Sequence, residues 1–288
     1  MLAIGLGLFA ALCWSAHDLL ARKFANIVGS YRMAIATMLI GTMVLSGFVL
    51  WHGQIWQIGS TAIWQVVLLG LIYGMAVSSL FKAFSLAPVS IVGPFTAGYP
   101  ALIVGWGVVT GLTPNLSQYL SVVLILCGAV VVGRTGLDDG GLKIVSQDKI
   151  APLVLFCLLA VVCFAAAAIM GQHISASLGE IETTALCRLP ATLFLLPFAF
   201  SERPMSPTIS KPAWRAITAM ALCDVAAVAG INHLGRLPGK EFGAMGISTY
   251  GAVSVVLAMF ILKEKVSTWQ WVGIAMIVGG VAGLAVPQ

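Results

Sequence analysis

Residues 134–149 read RTGLDDGGLKIVSQDK, and they form the one long hydrophilic stretch that separates apolar segments in this chain. Charged residues and paired glycines in such a stretch are typical of a linker. Five long apolar segments precede it and five follow it. The pattern therefore predicts two domains of similar size, at residues 1–133 and 151–288, joined by a polar linker at residues 134–150.

The rest of the chain is too apolar for a soluble domain. Of its 288 residues, 60% are hydrophobic and 9% are charged, whereas about a quarter are charged in an average soluble domain. A helix needs about 20 apolar residues to cross a hydrocarbon core about 30 Å thick. The sequence predicts an all-α integral membrane protein with ten transmembrane helices in the cell (inner) membrane. The predicted spans are Leu2–Ala21, Tyr31–Leu50, Ala62–Phe84, Val89–Gly111, Leu116–Gly133, Ala151–Ile174, Ile181–Phe200, Ala213–Leu234, Phe242–Leu262 and Trp269–Val286.

The two halves share a faint internal repeat. Sliding the sequence by 151 positions places Tyr99 on Tyr250 and Gly128 on Gly279, and a shift of 150 places Trp14 on Phe164. A shift of 156 places Arg32 on Arg188. Because five is an odd number, a second half with the same fold must be inverted in the membrane. Such inverted repeats are typical of alternating-access transporters, whose binding site lies near the midplane between the repeats.

Several motifs resemble those of the drug/metabolite transporter superfamily with its EamA-type repeat. They are Trp14-Ser15, Tyr31-Arg32, the run Ala87-Pro88-Val89, and the join 263–273, which reads KEKVSTWQWVG. The corresponding join in the first half, residues 111–118, lacks the acidic residue, which indicates a structural turn. The resemblance covers essentially the whole chain and implies a ten-helix bundle that moves small metabolites. It also implies a central cavity between helices one to four and six to nine, with helices five and ten at the periphery.

Polar and aromatic side chains within the predicted spans are candidates for the binding site. An ionisable group near the bilayer centre costs about 2.5–3.5 kcal/mol on insertion scales, so it tends to face a cavity or a partner. The predicted cavity residues are Trp14, His17, Tyr73, Ser78, Ser79, Lys82, Tyr99, Asp224, His233 and Tyr250. Two alternatives remain open. Lys82 and His233 could extend to the membrane surface. Asp224, and His17 with Asp18, could relay protons or form buried ion pairs that tie helices together.

Prolines and glycines in helices four and nine predict breaks beside the two repeat-related tyrosines. Pro94, Gly98, Pro100 and Gly251 lie close to Tyr99 or Tyr250. Proline removes a backbone donor and kinks a helix, and a membrane tolerates the freed carbonyls chiefly where protein or water satisfies them. These four residues are therefore predicted to form gates. Arg32 and Arg188 are interpreted as matching helix anchors.

The features together favour a secondary transporter, an exporter of small amphipathic metabolites such as amino acids, aromatic ones included. A channel is the main alternative; a membrane-embedded enzyme or a receptor fits less well, because clustered catalytic groups and large extramembrane domains are absent from the sequence. No cofactor, metal or ATP site is expected, since the chain has no P-loop and its histidines and cysteines are scattered. The net charge of +5 is dispersed among loops, which argues against nucleic acid. The expected partners are a small-molecule substrate and the lipid bilayer, and the expected state is a monomer.

Two arguments disagree about which side the termini face. Ten lysines and arginines follow odd-numbered spans and two follow even-numbered spans, leaving out Arg32, Lys82 and Arg188 as embedded. Short cytoplasmic loops are enriched in Lys and Arg, so the count predicts both termini outside the cytoplasm. The family resemblance implies the reverse.

Overall fold

Each secondary-structure element in the described part of the chain is helical. A computed structural model describes residues 2–52, 60–87, 89–138, 147–201, 209–263 and 266–285. Helices suit such an apolar chain because every backbone N–H and C=O pairs within the helix, where lipid offers no partner. The first half contains α1 (Leu2–Val28), α2 (Ser30–His52), α3 (Ser60–Leu86), α4 (Val89–Thr96), α5 (Tyr99–Val109) and α6 (Leu116–Asp138). The second contains α7 (Gln147–Leu178), α8 (Glu180–Ser201), α9 (Lys211–Leu234), α10 (Lys240–Met245), α11 (Thr249–Leu257) and α12 (Thr268–Ala285).

Eight helical segments of the described chain are long and apolar enough to cross a membrane. They include the α4–α5 pair, which is apolar over Ile91–Val109, and the α10–α11 pair, over Lys240–Ile261. Two shorter apolar helices lie at Leu116–Val132 and Thr268–Leu284, within α6 and α12. Each predicted span overlaps one of these segments, and the chain is a multi-pass membrane protein.

The helical structure extends into the predicted linker from both sides. Helix α6 continues to Asp138 and α7 begins at Gln147, although the composition of residues 134–150 predicts a linker throughout. Residues 139–146 lie outside the described part of the chain. The helices are therefore longer than the apolar spans, because a helix can continue past the hydrocarbon core into polar surroundings.

Two glycines in the left-handed conformation end equivalent helices. Gly29 follows α1 with φ 96°, and Gly179 follows α7 with φ 102°. A residue of this conformation is a common helix stop, and glycine adopts it without steric penalty. In both places the next helix begins one residue later, so a single-residue turn joins α1 to α2 and α7 to α8.

The helices of one half pack mainly against helices of the other. Helix α1 packs on α9 and α11, and α3 packs on α7 and α8. Helices α2 and α8 contact each other, as do α4 and α11. Helices α6 and α12 pair at the edge of the bundle, where side chains such as Leu120 and Trp271 are exposed. The centre of the bundle therefore lies between the two halves.

Candidate functional site

A cavity lies at the centre of the bundle, between the two halves. Its volume open to the centres of water molecules is about 60 Å³, several times the roughly 10–15 Å³ that one water requires. The lining comes from α1, α2, α3, α4, α5, α7, α9 and α11, so both halves contribute. The lining residues are Trp14, His17, Asp18, Ala34, Thr37, Met38, Tyr73, Val77, Leu80, Phe81, Thr96, Tyr99, Phe164, Asp224 and Tyr250.

Asp224 forms the first polar cluster of this central cavity. Its Oδ2 atom lies 2.7 Å from Nη1 of Arg188, which is fully buried on α8. The hydroxyl of Tyr73 donates to Oδ1 over 2.9 Å, and the indole N–H of Trp14 donates to the same oxygen over 3.3 Å. The guanidinium nitrogens have no aligned hydrogen-bond partner among the described residues, so attraction between the charges dominates. The negative charge of Asp224 is therefore neutralised where it lies.

Asp18 forms the second polar cluster of the central cavity. Its Oδ1 atom lies 2.7 Å from Nδ1 of His17, and the hydroxyl of Tyr250 donates to Oδ2. Both Asp18 and His17 are buried, yet both line the cavity. No lysine or arginine among the described residues contacts this carboxylate. Its charge is balanced only when His17 carries a proton.

Four aromatic rings separate the central cavity from a second one. Trp14, Tyr73, Tyr99 and Phe164 line both cavities. The ring of Phe164 lies 5.9 Å from that of Tyr99, 6.2 Å from Tyr73 and 6.4 Å from Trp14, measured between ring centroids. We call these four residues the aromatic partition. The second cavity is further lined by Leu69, Ala167, Ala168, Gly171, Cys187, Val228, Ile231 and Asn232.

The two cavities lie on opposite sides of the partition. In α1 and α3, the residues of the central cavity follow Trp14 and Tyr73 along the chain. In α7, the residues of the second cavity follow Phe164 instead. The central cavity therefore extends toward the α1–α2 turn at Gly29, and the second cavity extends toward the α7–α8 turn at Gly179.

Six of the predicted cavity residues line the central cavity: Trp14, His17, Tyr73, Tyr99, Asp224 and Tyr250. The other four lie elsewhere. Lys82 is exposed near the end of α3, where its ammonium group remains hydrated. Ser78 and Ser79 are buried in α3 away from the lining, and the Ser78 hydroxyl donates to the carbonyl of Met75.

His233 also lies outside both cavities. Its ring contacts Glu180, with 3.1 Å between Nδ1 and Oε1. Arg236 contacts the same carboxylate, with Nε 3.0 Å from Oε1. These charges join the ends of α8 and α9 at the bundle surface, because polar groups near a helix end reach water more easily than the interior.

The predicted gating residues occupy three kinds of position. Pro94 lies within α4, Pro100 lies in the first turn of α5, and Gly98 separates these helices. Gly251 lies in the first turn of α11 (Thr249–Leu257), which directly follows a 3₁₀ segment at Gly246–Ser248. A Cβ atom there would lie 2.7 Å from the Cα of Pro94. Gly251 therefore permits close packing of α11 on α4.

Arg32 and Arg188 do not occupy matching positions. Measured from the turn glycines, Arg32 is the third residue of α2 and Arg188 is the ninth of α8. Arg32 is exposed, whereas Arg188 is fully buried. The shift of 156 positions aligned two arginines by residue type, but the helices correspond at a shift of 150.

Sequence reasoning missed several lining residues. Thr37, Phe81 and Thr96 carry no charge and resemble ordinary packing residues in an apolar helix. Phe164 had a usable signal, since it matches Trp14 at a shift of 150. Asp18 belongs to the predicted proton relay with His17 but not to the predicted cavity residues, and the structure places it in the lining.

Comparisons with known proteins give a family and a fold. The family model of the EamA-like transporter family matches residues 1–134 and 151–286. A solved structure described only as "Crystal structure of protein" superposes with a TM-score of 0.76 at 20% sequence identity, covering 98% of this chain and 96% of that chain. At this identity the likeness concerns the fold alone. A search of the curated proteins finds no match.

Proposed function

Because the chain belongs to the EamA-like transporter family, we propose that it is a secondary transporter that exports small amphipathic metabolites by alternating access. Amino acids, aromatic ones included, are the substrates we consider first. The proposal includes ten membrane spans arranged as two inverted five-helix repeats, at residues 1–133 and 151–288, in the inner cell membrane of a monomer. The observation that carries it is the pair of cavities on opposite sides of the aromatic partition.

Helix packing supports the inverted repeat. If α1, α2 and α3 correspond to α7, α8 and α9, the contact of α1 with α9 exchanges with that of α3 with α7, and both contacts are extensive. Helices α2 and α8, counterparts of each other, are in contact, as are α6 and α12. A two-fold axis between the halves accounts for both observations: contacts between different helices occur in matching pairs, and counterpart helices near the axis contact each other.

The linings of the two cavities support alternating access. Val77, Leu80 and Phe81 of the central cavity correspond to Val228, Ile231 and Asn232 of the second at a shift of 151. His17 and Asp18 correspond to Ala167 and Ala168 at a shift of 150. Two equivalent spaces on opposite sides suit a protein whose halves exchange conformations, so that each space opens in turn.

Interruptions within the predicted fourth and ninth spans, which are the α4–α5 and α10–α11 pairs, support movement at equivalent places. The first half is interrupted at Ala97-Gly98, between α4 and α5. The second contains a 3₁₀ segment at Gly246–Ser248, between α10 and α11. Shifting Ala97 by 151 positions gives Ser248, at the end of that segment. Since mid-helix 3₁₀ segments often mark hinges, we assign gating to this region together with Pro94, Gly98, Pro100 and Gly251.

Counterflow in vesicles tests the proposal. Metabolite profiles of cells with and without the protein would first identify solutes retained when it is missing. Purified protein in liposomes should then accelerate uptake of a labelled candidate when the same unlabelled solute is inside. A channel would give no such acceleration and no saturation, and that result would replace the transporter with the channel alternative.

A further inference from the structure

Acidic side chains predominate among the charged residues around the central cavity. Asp18 and Asp224 both line it, whereas no lysine or arginine is among its described lining residues. Arg188 lies behind Asp224 and neutralises that carboxylate at 2.7 Å. The cavity therefore carries the uncompensated charge of Asp18 whenever His17 is neutral.

Asp18 keeps acceptor capacity for a ligand. Each carboxylate oxygen accepts about two hydrogen bonds, and the structure gives Oδ1 one neighbour, His17, and Oδ2 one donor, Tyr250. Asp224 differs, because Arg188, Tyr73 and Trp14 converge on it. A positively charged hydrogen-bond donor should therefore bind more favourably at Asp18 than at Asp224.

The remaining lining suits an organic cation with an apolar body. Trp14, Tyr73, Phe81, Tyr99 and Phe164 present aromatic surfaces within one enclosed space. Aromatic faces attract ammonium groups electrostatically, and the attraction is stronger where water is excluded. Val77, Leu80 and Met38 add aliphatic surface.

An anionic group would find no equivalent binding partner in the central cavity. Lys82 and Arg32 are exposed and lie away from the lining. Arg188 has unaligned donors, but Asp224 stands between it and the cavity. A carboxylate in this cavity would thus face two aspartates without a free cation.

We infer that the central cavity binds monocationic amines with an aromatic or aliphatic body, held at Asp18, and that a proton on His17 competes with the amine. This inference rests on the proposed transport function, and it replaces the amino acids considered first with amines that carry no carboxylate. A bound amine brings one positive charge, and the imidazolium releases one proton to water. The cavity keeps the same net charge in both states, which couples amine movement to proton movement in the opposite direction.

The groups facing His17 are consistent with this exchange. Asp18 is its direct partner at 2.7 Å. The other ionisable groups around the cavity are Tyr73 of α3, Tyr99 of α5, Asp224 of α9 and Tyr250 of α11, with Arg188 of α8 behind Asp224. The tyrosines are neutral at physiological pH and the Arg188–Asp224 pair is balanced. Histidine is the side chain that ordinarily exchanges a proton near physiological pH, so His17 is the group around this cavity that can release one.

Calorimetric titration of the purified full chain in detergent tests the inference. Three probes share one ring: 2-phenylethylamine is cationic, phenylalanine is zwitterionic and 3-phenylpropionate is anionic. We expect the amine to bind at least about tenfold more tightly than phenylalanine, and no measurable binding of the anion. Amine affinity should fall by at least about tenfold from pH 7.5 to pH 5.5, as protonated His17 competes.

Two variants and a control separate the two parts of the inference. Asp18→Asn should lose at least about tenfold in amine affinity, whereas Glu241→Gln, which removes a carboxylate outside the cavity, should bind normally. His17→Gln should bind the amine as tightly at pH 5.5 as at pH 7.5, which tests the proton competition by itself. If Asp18→Asn fails to fold, the three probes still test the substrate class. Tighter binding of phenylalanine, or no amine binding, overturns the substrate class. Amine binding that does not change with pH overturns the proton competition. Neither result touches the transport proposal, which counterflow decides separately.

Discussion

Arg188 is fully buried in the middle of α8, and Asp224 of α9 lies against it. A charge at this depth would be costly alone, and the adjacent carboxylate offsets that cost. Removing one partner of a buried pair typically destabilises a protein by about 3–5 kcal/mol, because the other charge remains uncompensated. The sequence alone suggests that Asp224 is a binding residue which can be neutralised without harm to folding. Its contact with Arg188 leads to a different expectation.

Asp224→Asn should lower the apparent melting temperature of the purified protein markedly. The double variant Asp224→Asn/Arg188→Met should recover much of the loss, because it removes the stranded charge as well. Heating followed by size-exclusion chromatography measures both. Lys82→Ala is the control: this exposed residue touches neither cavity, so stability and transport should stay as in the unmodified protein. Equal melting temperatures for Asp224→Asn and the unmodified protein would show that the pair contributes little.

At the scale of elements, close helix contacts depend on individual glycines. Gly70 of α3 faces α8, where an added Cβ atom would overlap the carbonyl oxygen of Cys187 and the ring of Pro190. Gly47 of α2 has no neighbouring atom within 4 Å of such a Cβ. The spacing of Gly70 and Gly74 matches the small-residue pattern that allows membrane helices to approach closely.

Gly70→Ala should therefore destabilise the protein, although alanine is the better helix former by about 1 kcal/mol. Helix α3 would have to move away from α8, since backbone atoms cannot yield as a flexible side chain can. Gly47→Ala is the matched control and should keep or slightly raise the apparent melting temperature. If the two variants melt alike, α3 and α8 are less closely packed than described.

The aromatic partition gives a second prediction at this scale. Phe164→Ala removes the ring that contacts Trp14, Tyr73 and Tyr99, and so joins the two cavities. We expect faster leak of a small solute through proteoliposomes without the acceleration by internal solute that counterflow requires. Phe260→Ala, at an exposed ring on the outside of the bundle, should leave both rates unchanged. Unaltered leak in Phe164→Ala would mean that other groups seal the passage.

Element positions could be predicted because a membrane span has a strong compositional signal. The break near Pro94 and Pro100 was also readable, since proline cannot support a regular helix. The direction in which each side chain points could not be predicted, because apolar residues surround these helices on all sides. Hydrophobic periodicity then does not distinguish a side that faces the cavity from one that faces lipid. This is why Lys82 and His233 were included in the site, and why Phe81 and Thr37 were missed. The Arg188–Asp224 pair required the packing of α8 on α9, which one-dimensional spacing does not contain.

At the scale of the whole molecule, the structure changes the count of lysines and arginines on each side of the membrane. Arg32 and Lys82 had been excluded as embedded, but both are exposed near helix ends. Both ends lie on the side that holds the α1–α2 turn. With these two added, the proposed ten-span topology assigns twelve of the 15 lysines and arginines to that side and two to the other, with Arg188 internal. The central cavity with Asp18 extends toward the same, basic side.

Because positively charged flanks resist translocation, the basic side should face the cytoplasm. Both termini then lie outside it, and the central cavity extends toward the cytoplasm, where an exporter collects its solute. A reporter that is active only in the cytoplasm should be dark when fused to Gln288. The same reporter inserted within residues 139–146 should be bright, because that stretch follows α6 on the basic side. The second fusion is the control for expression, since a misfolded protein would darken both. A bright fusion at Gln288 with a dark insertion would reverse the orientation: both termini would lie in the cytoplasm, as the family resemblance implies, and the central cavity would extend toward the outside.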